Sequence, residues 1–97
     1  MFYLLFDVRP QPEWPHTAAY GGSFVNCWIN TACMEEAETV ARKVIEAQGW
    51  VVHSLEEAFP VTREWYLALP ESLRYFEEAE EEGACYVFHT WPADAIE

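Results

Sequence analysis

The sequence is poor in positively charged residues. Lysine and arginine number 5 against 17 aspartate and glutamate residues, which gives a formal net charge of −12 over 97 residues. A surface of this sign repels the phosphates of nucleic acids and the anionic headgroups of membranes. The composition therefore predicts no nucleic-acid partner and no membrane partner, and it leaves a basic protein partner open.

Long hydrophobic runs and paired cysteines are also missing. No apolar run approaches the ~18 to 20 residues that span a bilayer. The opening MFYLLFDVRP lacks the basic leader and small-residue cleavage site of a signal peptide. The 3 cysteines include no CxxC pair, so a disulfide framework is not expected. These features predict a cytoplasmic protein.

Hydrophobic and aromatic residues, by contrast, are abundant. They make up 52% and 16% of the chain, which excludes a disordered protein. A chain of this length makes a single domain, predicted over residues 1–97.

The hydrophobic pattern predicts the element order β-β-α-β-α-β. Along the chain these are strands 2–8 and 23–31, helix 34–48, strand 50–59, a helix in two parts at 63–68 and 71–82, and strand 84–92. A proline-rich loop, 9–22, joins the first two strands. Because each helix has one apolar stripe, we expect an α+β two-layer sandwich: a four-stranded mixed sheet with two helices on one face.

That arrangement leaves the other sheet face without a helix. Counting alternate residues puts Val51, Cys85 and Val87 on the helix side, and Trp50 and Tyr86 on the open side. If this aromatic face were exposed to water, its apolar area would be larger than the patch that a soluble monomer usually exposes. We therefore expect a homodimer that buries this face between its two copies. The alternatives are that loop 9–22 folds back over the face or that a ligand covers it.

The same reasoning gives a candidate binding site on the open face and the loop. Aromatic side chains mixed with convergent polar groups are typical of small-molecule pockets. The candidates are Trp14, Tyr20, Phe24, Asn26, Trp28, Asn30, Trp50, Tyr86 and Phe88.

Three histidines are candidate catalytic bases. His16, His53 and His89 have the residue type that most often transfers protons at neutral pH. His53 and His89, with Cys27 and Cys85, could also ligate a metal. However, Cys85 and His89 stand about 13 Å apart along one strand, so we predict neither a metal site nor a cofactor.

The run EEAEEEG, residues 77–83, puts glutamates at a helix C-terminus, where the helix dipole disfavours them. The run either serves solubility or contacts a basic partner.

The predicted architecture resembles the ferredoxin-like (α/β-plait) fold and its dimeric barrel members, although the order β-β-α-β-α-β departs from the usual β-α-β-β-α-β. The segments CWINTACMEEAETVARKVIEAQGW and YVFHTWP are also similar to short bacterial proteins. Neither resemblance implies an activity or a site.

Two functions remain open from the sequence. The first is an acidic homodimeric binding module that recognises a basic protein or a small molecule. The alternative is a small cofactor-free enzyme, or a small-molecule-binding protein, that uses the aromatic sheet cavity with a histidine as general base. RNA binding by stacked aromatic residues is disfavoured by the negative charge.

Overall fold

The computed structural model describes residues 1–14, 17 and 19–93. Its elements are β1 (Phe2–Pro10), β2 (Tyr20–Ile29), α1 (Met34–Ala47), β3 (Trp50–Pro60), a 3-10 helix (Arg63–Tyr66), α2 (Pro70–Glu82) and β4 (Ala84–Pro92). The element order predicted from the sequence is confirmed.

The sheet is antiparallel throughout, with the strand order β3-β1-β2-β4. The predicted mixed sheet is therefore wrong, and the order is not that of the ferredoxin-like fold. The cause is the position of β1, which pairs with both β2 and β3. The strands β2 and β3 run in the same direction, but β1 separates them, so no parallel pair forms.

One face of the sheet is packed against α1, and we call it the α1 face. Leu4 and Phe6 of β1 lie there with Cys27 of β2, and all three are completely buried. The helix contributes Ala37, Ala41 and Ile45 from a single stripe. Burial of this stripe is the main source of stability for an amphipathic helix of this length.

The opposite face, which we call the α2 face, is packed against α2. Its cluster contains Trp28 of β2 and Cys85 of β4 together with Phe76 and Ala79 of the helix. Tyr3 of β1 packs against the same cluster. The two helices therefore cover different faces, and the protein has three layers.

This arrangement corrects the predicted two-layer sandwich with both helices on one face. The expected faces were wrong in β4, where Cys85 and Val87 lie on the α2 face while Tyr86 packs with the α1 cluster. They were also wrong at the start of β3, where Trp50 is 5% exposed and Val51 is 47% exposed. Consequently, no single face collects the aromatic residues that were expected to be open.

Gln11 and Thr17, which follow β1, are hydrogen-bonded to the turn after α1. The backbone N–H of Gln11 donates to the Gly49 carbonyl at 2.9 Å, and the Thr17 hydroxyl donates to the same oxygen at 3.2 Å. Gly49 has φ +93°, and a Cβ there would lie 2.8 Å from the Trp14 ring. A side chain at this position would therefore be strained and would displace the ring.

The helix ends follow from proline and glycine. Pro70 occupies the first turn of α2, where its missing N–H and fixed φ are favourable, so it begins the helix that it was expected to interrupt. Gly83 ends α2 with φ 92°. In residues 1–14, 17 and 19–93, no helix is long and apolar enough to cross a membrane.

Candidate functional site

A groove of about 370 Å³ crosses the α2 face beside the start of α2. Each strand, the 3-10 helix and α2 contribute side chains to it. The lining residues are Tyr3, Asn26, Trp28, Glu57, Phe59, Trp65, Tyr66, Glu71, Ser72, Tyr75, Val87 and His89. We call this feature the aromatic groove.

Five aromatic rings form a continuous row along the groove. From the 3-10 helix to α2 they are Trp65, Phe59, Tyr3, Trp28 and Tyr75, and successive ring centroids are 5.7, 5.2, 5.3 and 5.2 Å apart. These spacings are those of interacting aromatic pairs. The row is thus a packed wall of rings that support one another.

A hydrogen bond fixes Tyr3 in the middle of this wall. Its hydroxyl donates to Oδ1 of Asn26 at 2.5 Å. Burial, together with the nearby charge of Glu57, raises the pKa of Tyr3 to about 12. The Tyr3 phenol therefore stays neutral at physiological pH and continues to donate its hydrogen bond to Asn26.

A second hydrogen bond fixes Trp28. Its Nε1–H donates to the Tyr66 hydroxyl at 3.1 Å, and both residues are buried. Burial raises the pKa of Tyr66, so this hydroxyl is also neutral. The Tyr3 hydroxyl and the Trp28 indole N–H are thus paired within the protein, and among the rings of the wall Trp65, which is 59% exposed, offers the most surface to a ligand.

The charged groups at the groove are acidic. Glu57 comes from β3 and Glu71 from the first turn of α2, and both are exposed. Tyr75 Oη donates to Oε1 of Glu71 at 3.4 Å. The described lining contains no lysine or arginine, so the groove combines negative charge with the electron-rich faces of aromatic rings.

An apolar lip borders the groove at the 3-10 helix. Trp65, Leu67 and Leu69 are 59%, 62% and 53% exposed. Trp65 reaches into the groove, where its ring stacks on Phe59. Several large exposed apolar side chains within one short segment are typical of a contact surface for another molecule.

Some of the residues predicted from the sequence meet in this groove. Asn26 and Trp28 line it from β2, and His89 lines it from β4. The side chain of Phe24 lies on the same face but outside the groove, with its ring 5.3 Å from that of Trp91.

The other predicted binding residues lie elsewhere. Trp50, Tyr86 and Phe88 pack with the α1 cluster, and Tyr20 stacks on Trp50 with a centroid distance of 6.1 Å. Trp14 lies against Gly49. Asn30 is exposed after β2, where its N–H donates to the Gly83 carbonyl at 2.9 Å. The structure therefore does not bring the predicted set together.

The candidate catalytic and metal-binding residues are also dispersed. His53 is exposed on β3 and does not line the groove, and His16 lies outside the described residues. Cys27 and Cys85 belong to the clusters of opposite faces. Within the described residues, no group of three or more His, Cys, Asp or Glu could hold a metal ion.

Sequence reasoning missed most of the groove. Glu57, Phe59, Trp65, Glu71 and Tyr75 come from β3, the 3-10 helix and α2, and they meet only because α2 packs on this face. The one signal available was the segment WYLAL, residues 65–69, which carries more apolar side chains than a single turn can bury.

Comparisons with models of protein families, with curated proteins and with solved structures gave no match.

Proposed function

We propose that this protein is a binding module whose aromatic groove takes an organic cation, an ammonium or guanidinium group carried by a basic partner. The observation that carries the proposal is the combination of five aromatic rings with Glu57 and Glu71 in a lining without lysine or arginine.

The chemistry of the lining favours a cation over a neutral or anionic ligand. The face of an aromatic ring carries partial negative charge and attracts a cation, by about 0.5–1 kcal/mol at an exposed site and 2 kcal/mol or more when water is excluded. The two carboxylates add direct charge attraction. The net charge of −12 also increases the rate at which a positively charged partner arrives.

The hydrogen bonds to Asn26 and Tyr66 support the proposal because they fix two of the rings before a ligand binds. A preformed wall loses little conformational freedom on binding, so more of the interaction energy appears as affinity. The exposed lip, with Trp65 at its inner side, adds apolar area that a partner could cover.

The test is a titration of the isotopically labelled protein with N-acetyl-arginine amide, followed by NMR. Its control is N-acetyl-citrulline amide, which has nearly the same shape but no charge. We expect the arginine compound to shift the indole signals of Trp28 and Trp65 with a dissociation constant in the millimolar range, and the citrulline compound to shift them much less. Equal binding of both compounds, or shifts confined to residues outside the groove, would contradict the proposal.

The other functional expectations from the sequence stay predictions. In the cofactor-free enzyme, His89 would be the general base, since it is the described histidine in the groove wall. The homodimer and the cytoplasmic location also stay predictions. The residues of the expected dimer face do not share one face of the sheet, because Trp28 is buried under α2 whereas Tyr86 lies on the α1 face. Sedimentation equilibrium tests the dimer.

A further inference from the structure

The strand β4 forms one edge of the sheet. Within the described residues it pairs only with β2, so the backbone N–H and C=O groups of its outer side have no strand partner. Its sequence, ACYVFHTWP, contains no Asp, Glu, Lys or Arg. An uncharged edge strand of this length is a template for pairing with another extended chain.

The opposite edge, β3, is better protected against pairing, although both edge strands end at a proline. Its pairing with β1 has two register shifts, between Leu5 and Phe6 and between Asp7 and Val8. It also carries Glu56 and Glu57 and ends at Pro60. Bulges, charges and proline are the devices by which proteins prevent edge pairing. The pairing of β4 with β2 has one register shift, between Tyr20 and Gly22 of β2, at the C-terminal end of β4.

The helix α2, which packs against β4, has one flank rich in glutamate. Glu71, Tyr75, Glu78 and Glu82 follow the i, i+4, i+7, i+11 spacing of one helix flank. Tyr75 of this flank contacts Trp28 of β2, and Glu78 lies close enough to Cys85 of β4 to help burial raise the pKa of that thiol. We call these three glutamates the acidic flank.

Arg74 adjoins Glu71 and Glu78 on α2, so the acidic flank keeps a net charge of −2. Arg63 forms its ion pairs with Glu77 and Glu80, on another side of α2. None of the described ion pairs includes Glu71, Glu78 or Glu82. A second copy added at β4 would bring two acidic flanks together, which is unfavourable. A positively charged strand would meet complementary charge there.

We propose that the free edge of β4 accepts an extended basic segment of a partner protein by strand addition. Backbone hydrogen bonds to β4 supply the affinity, and lysine or arginine side chains on the α2 face pair with the acidic flank. The inference rests on the proposed function, because one such side chain would enter the aromatic groove, which reaches β4 at Val87 and His89.

The test uses a synthetic peptide of alternating lysine and valine, capped at both ends. Hydrogen exchange of the β4 amides is followed by NMR with and without the peptide. The control peptide has the same sequence with every residue N-methylated, which removes the donors of both edges. We expect alternate amides between Cys85 and Trp91 to exchange about tenfold more slowly with the first peptide and unchanged with the second.

Two double variants test the charge. Glu78→Gln with Glu82→Gln removes two charges beside β4, and Glu35→Gln with Glu36→Gln removes two from the first turn of α1. We expect the first pair to weaken peptide binding several-fold more than the second. Equal weakening by the two pairs, or peptide binding without slower exchange in β4, would overturn the inference.

The remaining outcomes separate the inference from the proposed function. If the arginine compound shifts Trp65 in a sample where the peptide leaves β4 exchange unchanged, strand addition is wrong and the groove proposal stands. If the arginine compound does not shift Trp65, the groove proposal fails whatever the peptide does. Slower β4 exchange that depends on protein concentration alone would show that a second copy occupies the edge, and would also overturn the inference.

Discussion

Cys27 and Trp28 are consecutive residues of β2, and their side chains are buried on opposite faces of the sheet in two different hydrophobic clusters. Each cluster has its own helix, α1 for Cys27 and α2 for Trp28. Because a helix covers each face, a chain of 97 residues can bury strands that carry apolar residues on both sides. This relationship also places the aromatic groove at the side of α2.

The first prediction concerns this division of the core. Ile45→Val and Phe76→Leu each remove buried carbon atoms, from the α1 cluster and the α2 cluster respectively. We expect each to lower the free energy of unfolding by roughly 1 kcal/mol, measured by urea denaturation. Because the sites lie on opposite faces, the double variant should equal the sum within about 0.5 kcal/mol. A larger deviation would mean that the two helices share one core.

The second prediction concerns the apolar wall of the groove. Trp65→Ala removes the outermost ring of the row, and the affinity for N-acetyl-arginine amide should fall about 2- to 30-fold, the equivalent of 0.5–2 kcal/mol. Leu67→Ala is the matched control, since Leu67 is equally exposed in the same segment but does not line the groove. Equal effects of the two substitutions would contradict the assignment of Trp65.

The third prediction concerns the carboxylates. The double variant Glu57→Gln and Glu71→Gln should weaken binding of the arginine compound, and it should also reduce the loss of affinity between low and high salt, because exposed charges are screened over about 10 Å at 0.1 M salt. Glu81→Gln, an exposed glutamate outside the lining, should change neither quantity. Calorimetric titration at two salt concentrations provides both values.

The fourth prediction concerns the thiols. Cys33 is exposed, whereas Cys27 and Cys85 are buried. Burial raises the pKa of both buried thiols to about 12, so almost none of either is thiolate at pH 8. A thiol reagent should therefore modify Cys33 rapidly in the native protein, and the other two only after unfolding. Rapid native modification of Cys27 would contradict the burial of the α1 cluster.

The fifth prediction concerns Tyr86, whose hydroxyl is buried and makes no hydrogen bond with the described residues. Tyr86→Phe should raise the free energy of unfolding by about 1 kcal/mol at pH 8, because it removes an unsatisfied polar group. Tyr20→Phe, at an exposed tyrosine, should have little effect.

The same substitution should change the response to alkali. Burial raises the pKa of Tyr86 from 10.0 to about 12. The folded state therefore holds this proton more tightly than the unfolded state, and the associated stability is complete below pH 10 and is lost as the pH rises to about 12. Urea denaturation at several pH values should show a smaller alkaline loss in Tyr86→Phe. An equal loss would show that Tyr86 does not contribute.

The sequence predicted the helices and strands well because their signals are local. The apolar stripe that contains Ala37, Ala41 and Ile45 predicted a helix over 34–48, and α1 is Met34–Ala47. The strand predicted over 84–92 is β4. The first loop was predicted too long, since β1 extends to Pro10 and β2 begins at Tyr20.

The faces could not be predicted, for two physical reasons. In β4 the two alternating sets, Cys85 with Val87 and Tyr86 with Phe88, are both apolar, so alternation does not say which set meets which helix. In β3 the register shifts change the phase, and a bulge leaves no mark in the side-chain pattern. Residues of both strands line the groove, so its composition could not be predicted from local sequence patterns.

The most direct measurement for the central claim is a set of intermolecular nuclear Overhauser effects between tetramethylammonium and the protein. The ion has identical methyl groups and no hydrogen-bond donor, so it reports contact with ring faces. We predict that its methyl protons contact the rings of Trp65, Phe59 and Tyr75, which are less buried than Trp28. Contacts confined to glutamates outside the groove, with none at these rings, would contradict it.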